Sequence, residues 1–358
     1  MRIYQSLIFW IVILLALSFT SVFPEMDNWW YDRKPFPEKV TTVRSHFLNG
    51  VVLPFFALEE DYPYKQALDE IDDLGARSVS LFITNYQEDI RTDYIYMNQR
   101  AVEVTQLTEI VRYAHQRGMS VFLFPTLHIQ HLGFKEWRGV LAPKDPEKWW
   151  NNYFRMVQFY VHFAQQNHVE MLSIGSELCS LESDYSHWSK LIQYARSHYD
   201  GLLTYSANWD HYHDISFMKD LDYMGINAYF RLTEKMDPTV QEIVTAWKPA
   251  RQRIQDAYKE YKKPLLFTEI GYLSLDGTNH DPWNYFSTKK IDLQEQADCY
   301  EAFVRVWNPP PNFLHGVYFY NWWGPGGPAD RDYTPRGKPA EKILRAWYKS
   351  FRTSPWSF

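Results

Sequence analysis

The sequence predicts an α/β protein folded as a single (β/α)8 (TIM) barrel. Short runs rich in β-branched and aromatic residues alternate with segments of helical period, and eight such strands can be counted. Most are spaced as parallel crossovers require. No glycine-rich phosphate loop follows the first strand, where an open nucleotide-binding sheet would need one. A length of 358 residues allows two ordinary domains or one barrel of this size.

In order, the first strand is expected at 51–57 and a helix at Tyr64–Leu74, stopped by Gly75. The second strand spans 78–83 and exits at Thr84, Asn85 and Tyr86; a helix over 102–117 follows, stopped by Gly118. The third strand, 120–125, exits at Thr126–His128. An aromatic loop carrying Trp137, Trp149 and Trp150 then leads to a helix at 152–166. Strand four, 170–174, runs up to Glu177 and is followed by a helix at 185–199. Strand five, 202–206, is followed by Asn208 and Trp209, and a short crossing segment at 215–221 precedes strand six, 223–228, exiting at Tyr229. The long helix 240–261 leads to strand seven, 264–268, and the helix 293–307 leads to strand eight, 315–320, exiting at Trp322 and Trp323. A helix over 339–348 closes the chain. The domain reading is 1–23 targeting segment, 24–45 linker or N-terminal cap, 46–352 barrel, and 353–358 tail.

The targeting reading rests on Arg2 ahead of the apolar run Leu7–Leu17 and the small polar residues after it, a charged region and apolar core of secretory type. Its cleavage signal is poor, so both a removed signal peptide and a retained membrane anchor stay open. Either way the expectation is export: secreted, periplasmic or held at a membrane facing outward. The net charge of −6, with no long Lys/Arg block, argues against a nucleic-acid surface. Two cysteines, Cys179 and Cys299, give no disulfide framework and no metal-type spacing. His211, His213 and Asp214 read as a solvated turn, so neither a metal nor a cofactor is expected. The aromatic fraction is high at 18%, with 15 Trp and 26 Tyr, many in segments that read as loops. Amphipathic rings of this kind suit sugar faces.

In a barrel the strand C-termini converge on one face, where active sites sit. That rule gathers Asn85, His128, Glu177, Asn208, Trp209, Tyr229, Glu269 and Trp322 into one constellation. Glu177 and Glu269 each end an apolar strand without a local counterion. Facing carboxylates across a barrel mouth are what glycosidic cleavage uses: one protonates the leaving oxygen while the other attacks or activates water. Taken singly, a glutamate at a strand end is ordinarily an ion-pair or capping residue, and Tyr229 is ordinarily structural. His128 and Asn85 divide evenly between ligand contact and support, and Trp322 and Trp323 between ring platform and packing. Asp330 and Asp332 read as loop structure.

Ile174–Leu178 (IGSEL), Phe267–Tyr272 (FTEIGY), Gly225–Tyr229 (GINAY) and Gly316–Gly324 (GVYFYNWWG) together resemble the retaining glycoside hydrolases with glutamates on strands four and seven. The similarity covers roughly residues 45–350 and is greatest to glycoside hydrolase family 113, the endo-β-1,4-mannanases. The resemblance implies Glu269 as nucleophile, Glu177 as acid/base, Tyr229 positioning the nucleophile and Trp322 as the floor under the cleaved sugar. Where many members of that clan carry Asn before the acid/base, this chain has Ser176, which alters the contact to the sugar 2-hydroxyl. The implied partner is a β-linked oligo- or polysaccharide, with β-1,4-mannan the expected substrate. A transglycosylase using the same glutamates, and an inactive membrane-tethered sugar-binding barrel, are the alternative functions.

Overall fold

The computed structural model describes residues 46–55, 62–97 and 101–353. The targeting segment and most of the expected linker, together with the tail from 354, lie outside them. The chain divides into a short unit, Met1–Pro35, wholly outside the described residues, and the barrel unit. Among the described residues no helix is long and apolar enough to cross a membrane.

Eight strands close into one all-parallel barrel in sequence order: β1 Leu48–Phe55, β2 Ser78–Gln87, β3 Ser120–Ile129, β4 Met171–Ser176, β5 Leu202–Asn208, β6 Tyr223–Asn227, β7 Leu265–Ile270 and β8 Leu314–Tyr320. Among the described residues seven α-helices surround it: α1 Tyr64–Leu74, α2 Ala101–Gln116, α3 Pro146–Gln166, α4 Tyr185–His198, α5 Val240–Tyr261, α6 Leu293–Trp307 and α7 Pro339–Thr353. The β5–β6 crossover holds only a 3-10 turn, Met218–Asp220, as the short 215–221 segment implies. The single barrel of the sequence reading is therefore the fold.

Strand parity divides the core in two. Val52, Phe82, Phe122, Phe124, Met171, Leu202, Leu266 and Tyr318 fill the barrel interior. Their neighbours Val51, Leu53, Val79, Leu81, Ile83 and Leu123 face the helices and form a second, larger core with them.

Three boundaries differ instructively from the sequence reading. β2 and β3 continue together to Gln87 and Ile129, since each parallel pairing extends the other. α3 begins at Pro146, so Trp149 and Trp150 are helical and buried rather than part of a loop. Asp145 accepts from the Lys148 N–H as N-cap, and Pro146, whose missing N–H costs nothing in the first turn, follows it. Trp188, Trp247 and Trp307 are also fully buried. Much of the aromatic excess therefore packs the helix layer, and a smaller part reaches the mouth.

Gly225 of β6 sits beneath that mouth. A Cβ there would lie 2.5 Å from the Tyr205 carbonyl oxygen and 2.9 Å from both Thr204 Oγ1 and Thr268 Cγ2. Gly225→Ala should cost about 1–3 kcal/mol through overpacking, read as a lowered urea midpoint; an unchanged midpoint would contradict this packing.

Candidate active site

Glu177 follows β4 directly, where the ladder to β5 shifts register between Ser173 and Ser176. Its φ is +54°, a conformation non-glycine residues adopt at a cost. Two hydrogen bonds hold it there. Its own N–H donates to the Ser206 carbonyl at 2.9 Å, and the next N–H, of Leu178, donates to the Tyr205 hydroxyl at 2.7 Å. The result turns the carboxylate into the barrel mouth, nearly buried at 7% exposure.

There it has two donors. Asn227 Nδ2 lies 3.0 Å from Oε1, and Arg138 Nε lies 3.1 Å from Oε2. Arg138 is itself fixed from the β3 side, donating through one terminal nitrogen to Thr126 Oγ1 and the Leu127 carbonyl. Asn227 also donates to Ser176 Oγ at 3.2 Å and accepts from Thr268 Oγ1 at 3.0 Å. One amide thus ties the ends of β4, β6 and β7 together.

Glu269, on β7, is 5% exposed. Its Oε2 accepts from the Tyr229 hydroxyl at 2.8 Å. Its Oε1 is buried without a hydrogen-bond partner among the described residues. Unpaired buried carboxylate oxygens are costly, and one at a barrel mouth is a natural point for a ligand. Burial, and then the Glu177 charge, push the Glu269 carboxyl up to about 8, against the opposing pull of Arg138 and Tyr229.

Around the pair stands an aromatic wall. Tyr320, ending β8, meets Phe82 across the barrel at 5.8 Å and Tyr333 at 5.3 Å. Tyr229 meets Tyr333 edge-on at 6.0 Å. Further out Trp209 and Trp283 stack at 5.3 Å, and the Arg231 guanidinium lies 5.5 Å from the Trp283 ring centre.

Of the residues singled out in the sequence, Glu177, Glu269, Tyr229 and Ser176 form one network, with the Ser176 hydroxyl engaged by Asn227. Trp209 joins the outer wall. His128 lies exposed at the rim, edge-on to Tyr86, and burial and then the nearby Arg138 charge lower its pKa. Asn208 donates to Asp210 at 2.7 Å and has no bond to either glutamate.

Two placements are corrected. Asn85 has the outward parity of β2: it accepts from Tyr160 of α3 and donates to the Thr126 carbonyl, fully buried between barrel and helices. It supports the scaffold and has no open face for a ligand. Trp322 lies beyond the end of β8, packs in the outer core, and donates its indole N–H to Glu70 of α1 at 2.9 Å. Tyr320, of inward parity, occupies the barrel side instead.

Arg138, Asn227, Tyr320, Tyr333 and Trp283 were not singled out in the sequence. Asn227 was legible, two residues before Tyr229 and hence on the same strand face; Tyr320 follows by the same parity. Arg138 and Trp283 lie on long loops, which carry no periodic signal.

A closed parallel barrel brings two neighbouring glutamates together at the ends of β4 and β7, a pairing that glycosidic cleavage can use. The family model for Glycoside Hydrolase Family 113 matches residues 57–351. The chain belongs to that family and is a glycoside hydrolase. Among solved structures it is similar to the GH113 β-mannanase AaManA from Alicyclobacillus acidocaldarius in complex with ManMIm, at 23% identity and TM-score 0.76, covering 86% of this chain and 98% of that one. A second GH113 β-1,4-mannanase matches at 23% identity and TM-score 0.76, over 85% and 99% of the two chains. A β-D-glucuronidase of Dictyoglomus thermophilum matches at 16% identity and TM-score 0.58, over 87% of this chain and 52% of that one. At these identities the likeness is one of fold. No curated protein matches the sequence.

A carboxyl whose pKa is raised on folding loses stability as pH climbs from its unfolded value towards its folded one, because only the unfolded chain ionises freely in that window. Glu269→Gln removes the ionisable group and leaves an acceptor for Tyr229. Its melting temperature should exceed the parent's at pH 8, and the gap should close near pH 4. A gap independent of pH would show that Glu269 ionises freely.

Proposed function

We propose that the protein is a retaining β-mannanase in which Glu269 is the nucleophile and Glu177 the acid/base. The observation that carries this is the pair itself: two buried, mutually repelling carboxylates, one with a free oxygen and the other held by donors on both oxygens. In the first step a Glu269 oxygen bonds to the anomeric carbon, the glycosidic bond breaks, and the Glu177 proton goes to the leaving oxygen. In the second, Glu177 takes a proton from water, the hydroxide oxygen bonds to the anomeric carbon, and Glu269 leaves as carboxylate. Mannan is chosen because the similar solved structures are β-mannanases. The N-terminal apolar segment would deliver the enzyme out of the cytoplasm.

Protonation gives Arg138 its role. Burial and the adjacent Glu177 charge keep the proton on Glu269 up to a pH of about 8, while Arg138 and Asn227 donate to Glu177. Cleavage needs the same total charge with the proton on Glu177. A glycosidic oxygen beside Glu177 and developing positive charge beside Glu269 both favour that exchange, and the Arg138–Glu177 bond is the one that loosens.

The direct test is hydrolysis of mannan, glucomannan, xylan, galactan and cellulose by the wild type, Glu177→Ala and Glu269→Ala. Mannan should be cleaved with retention of the β-anomer, read by NMR. Glu177→Ala should fall roughly 10²–10⁴-fold, the range for loss of a general acid, with recovery on substrates whose leaving group needs no proton. Inverted product, or an active Glu269→Ala, would overturn the assignment; sugar binding without turnover would favour the inactive barrel. The alkaline limb of kcat/KM should fall near pH 8, where the shared proton is lost. Because the Arg138 cation opposes that proton, Arg138→Met should move the limb to higher pH; an unmoved limb would exclude Arg138 from the proton exchange.

A further inference from the structure

The turn after Glu177 carries a second cluster that the cleavage mechanism does not use. Cys179 and Glu182 flank the 3-10 turn Cys179–Leu181, and His211 comes from the loop after β5. A ligating atom from each lies within 4.8 Å of the other two. Glu182 is 1% exposed, and among the described residues the one basic side chain against it is His211, whose Nδ1 lies 2.6 Å from Oε2. No lysine or arginine among those residues neutralises this buried carboxylate. Cys179 is a free, half-buried thiol and the His211 side chain is 45% exposed, so the cluster is open to solvent on one side.

We propose that Cys179, Glu182 and His211 bind a thiophilic divalent cation, and that its occupancy slows cleavage at Glu177. Thiolate, imidazole and carboxylate together select zinc-like over calcium- or magnesium-like ions, and three protein ligands leave one position for water. On binding, the thiol proton leaves to solvent and a metal–sulfur bond forms. The imidazole hydrogen moves to the other ring nitrogen, and the cation takes the place of the hydrogen between His211 and Glu182. One dication then meets one thiolate and one carboxylate, so the site is neutral.

The coupling to Glu177 is short. Glu182 Oε1 accepts from the Tyr205 hydroxyl at 2.7 Å, and that hydroxyl accepts from the Leu178 N–H at 2.7 Å. A cation drawing Glu182 towards Cys179 competes with the Tyr205 bond and so loosens the peptide that holds Glu177 in its left-handed turn. This regulatory half rests on the assignment of Glu177 as acid/base; the binding half does not.

The test uses the full-length protein freed of metal with a chelator and titrated with Cd²⁺. A cadmium–thiolate charge-transfer band should grow to one equivalent. It should vanish in Cys179→Ser, and His211→Ala, a change at a half-exposed residue, should weaken binding by at least about tenfold. No band, or a band that persists in Cys179→Ser, overturns the site. In mannan hydrolysis, Zn²⁺ should lower wild-type turnover reversibly by chelator and leave His211→Ala insensitive; saturation by Cd²⁺ with turnover unchanged overturns the regulation. A protein inactive on every polysaccharide would still give the band, so failure of the mannanase reading is distinguishable from failure of this one.

Discussion

Arg138 donates to Glu177 while its charge also reaches Glu269, and burial together with the Glu177 charge raises the cost of ionising Glu269. Much of the barrel's upper rim serves that triangle. Burial and the neighbouring Glu177 charge hold the Glu269 carboxyl at about 8, against the pull of Arg138, so Glu269 keeps its proton through the neutral range. A site in that condition can supply an acid and a base from two identical side chains.

The triangle depends on backbone held in an unfavourable state. Glu177 occupies left-handed φ, which a carboxylate-bearing residue does not choose on its own. Ser206 and Tyr205 receive the N–H groups on either side of that conformation, and both come from β5, the neighbouring strand. Asn227 then joins β4, β6 and β7 through one amide, and Gly225 beneath it leaves room for the close strand packing that brings these groups together. The same turn brings Cys179 and Glu182 to His211, so the segment that orients Glu177 also forms the proposed cation cluster.

Legibility in the sequence followed physical regularity. Strand positions were readable because burial on both faces of a parallel strand leaves an apolar run, and helix ends because left-handed glycines such as Gly75 mark them. Residues at strand exits were readable because strand C-termini converge on one face: Tyr229 and His128 also keep the inward parity of their strands, whereas Glu177 and Glu269 reach the mouth across register shifts in β4 and β7. Asn85 and Trp322 misled for related reasons. Asn85 lies one residue out of phase with Phe82, and Trp322 lies past the last ladder residue, where alternation no longer governs direction. Trp149 and Trp150 read as loop residues because no apolar period precedes them, yet Asp145 and Pro146 ahead of them form a helix start.

The order of eight strands, the placement of a glutamate at the ends of the fourth and seventh, and the absence of a nucleotide loop were determined by sequence alone, because periodicity and strand ends are local properties. Tertiary structure decided which groups surround those glutamates. Arg138 approaches Glu177 from a loop 39 positions away, and His211 approaches Glu182 across 29. Neither separation leaves a mark on hydrophobic pattern, since loops obey no period and charges act through space. The proton on Glu269 follows from burial and proximity, and both exist only once the barrel has closed.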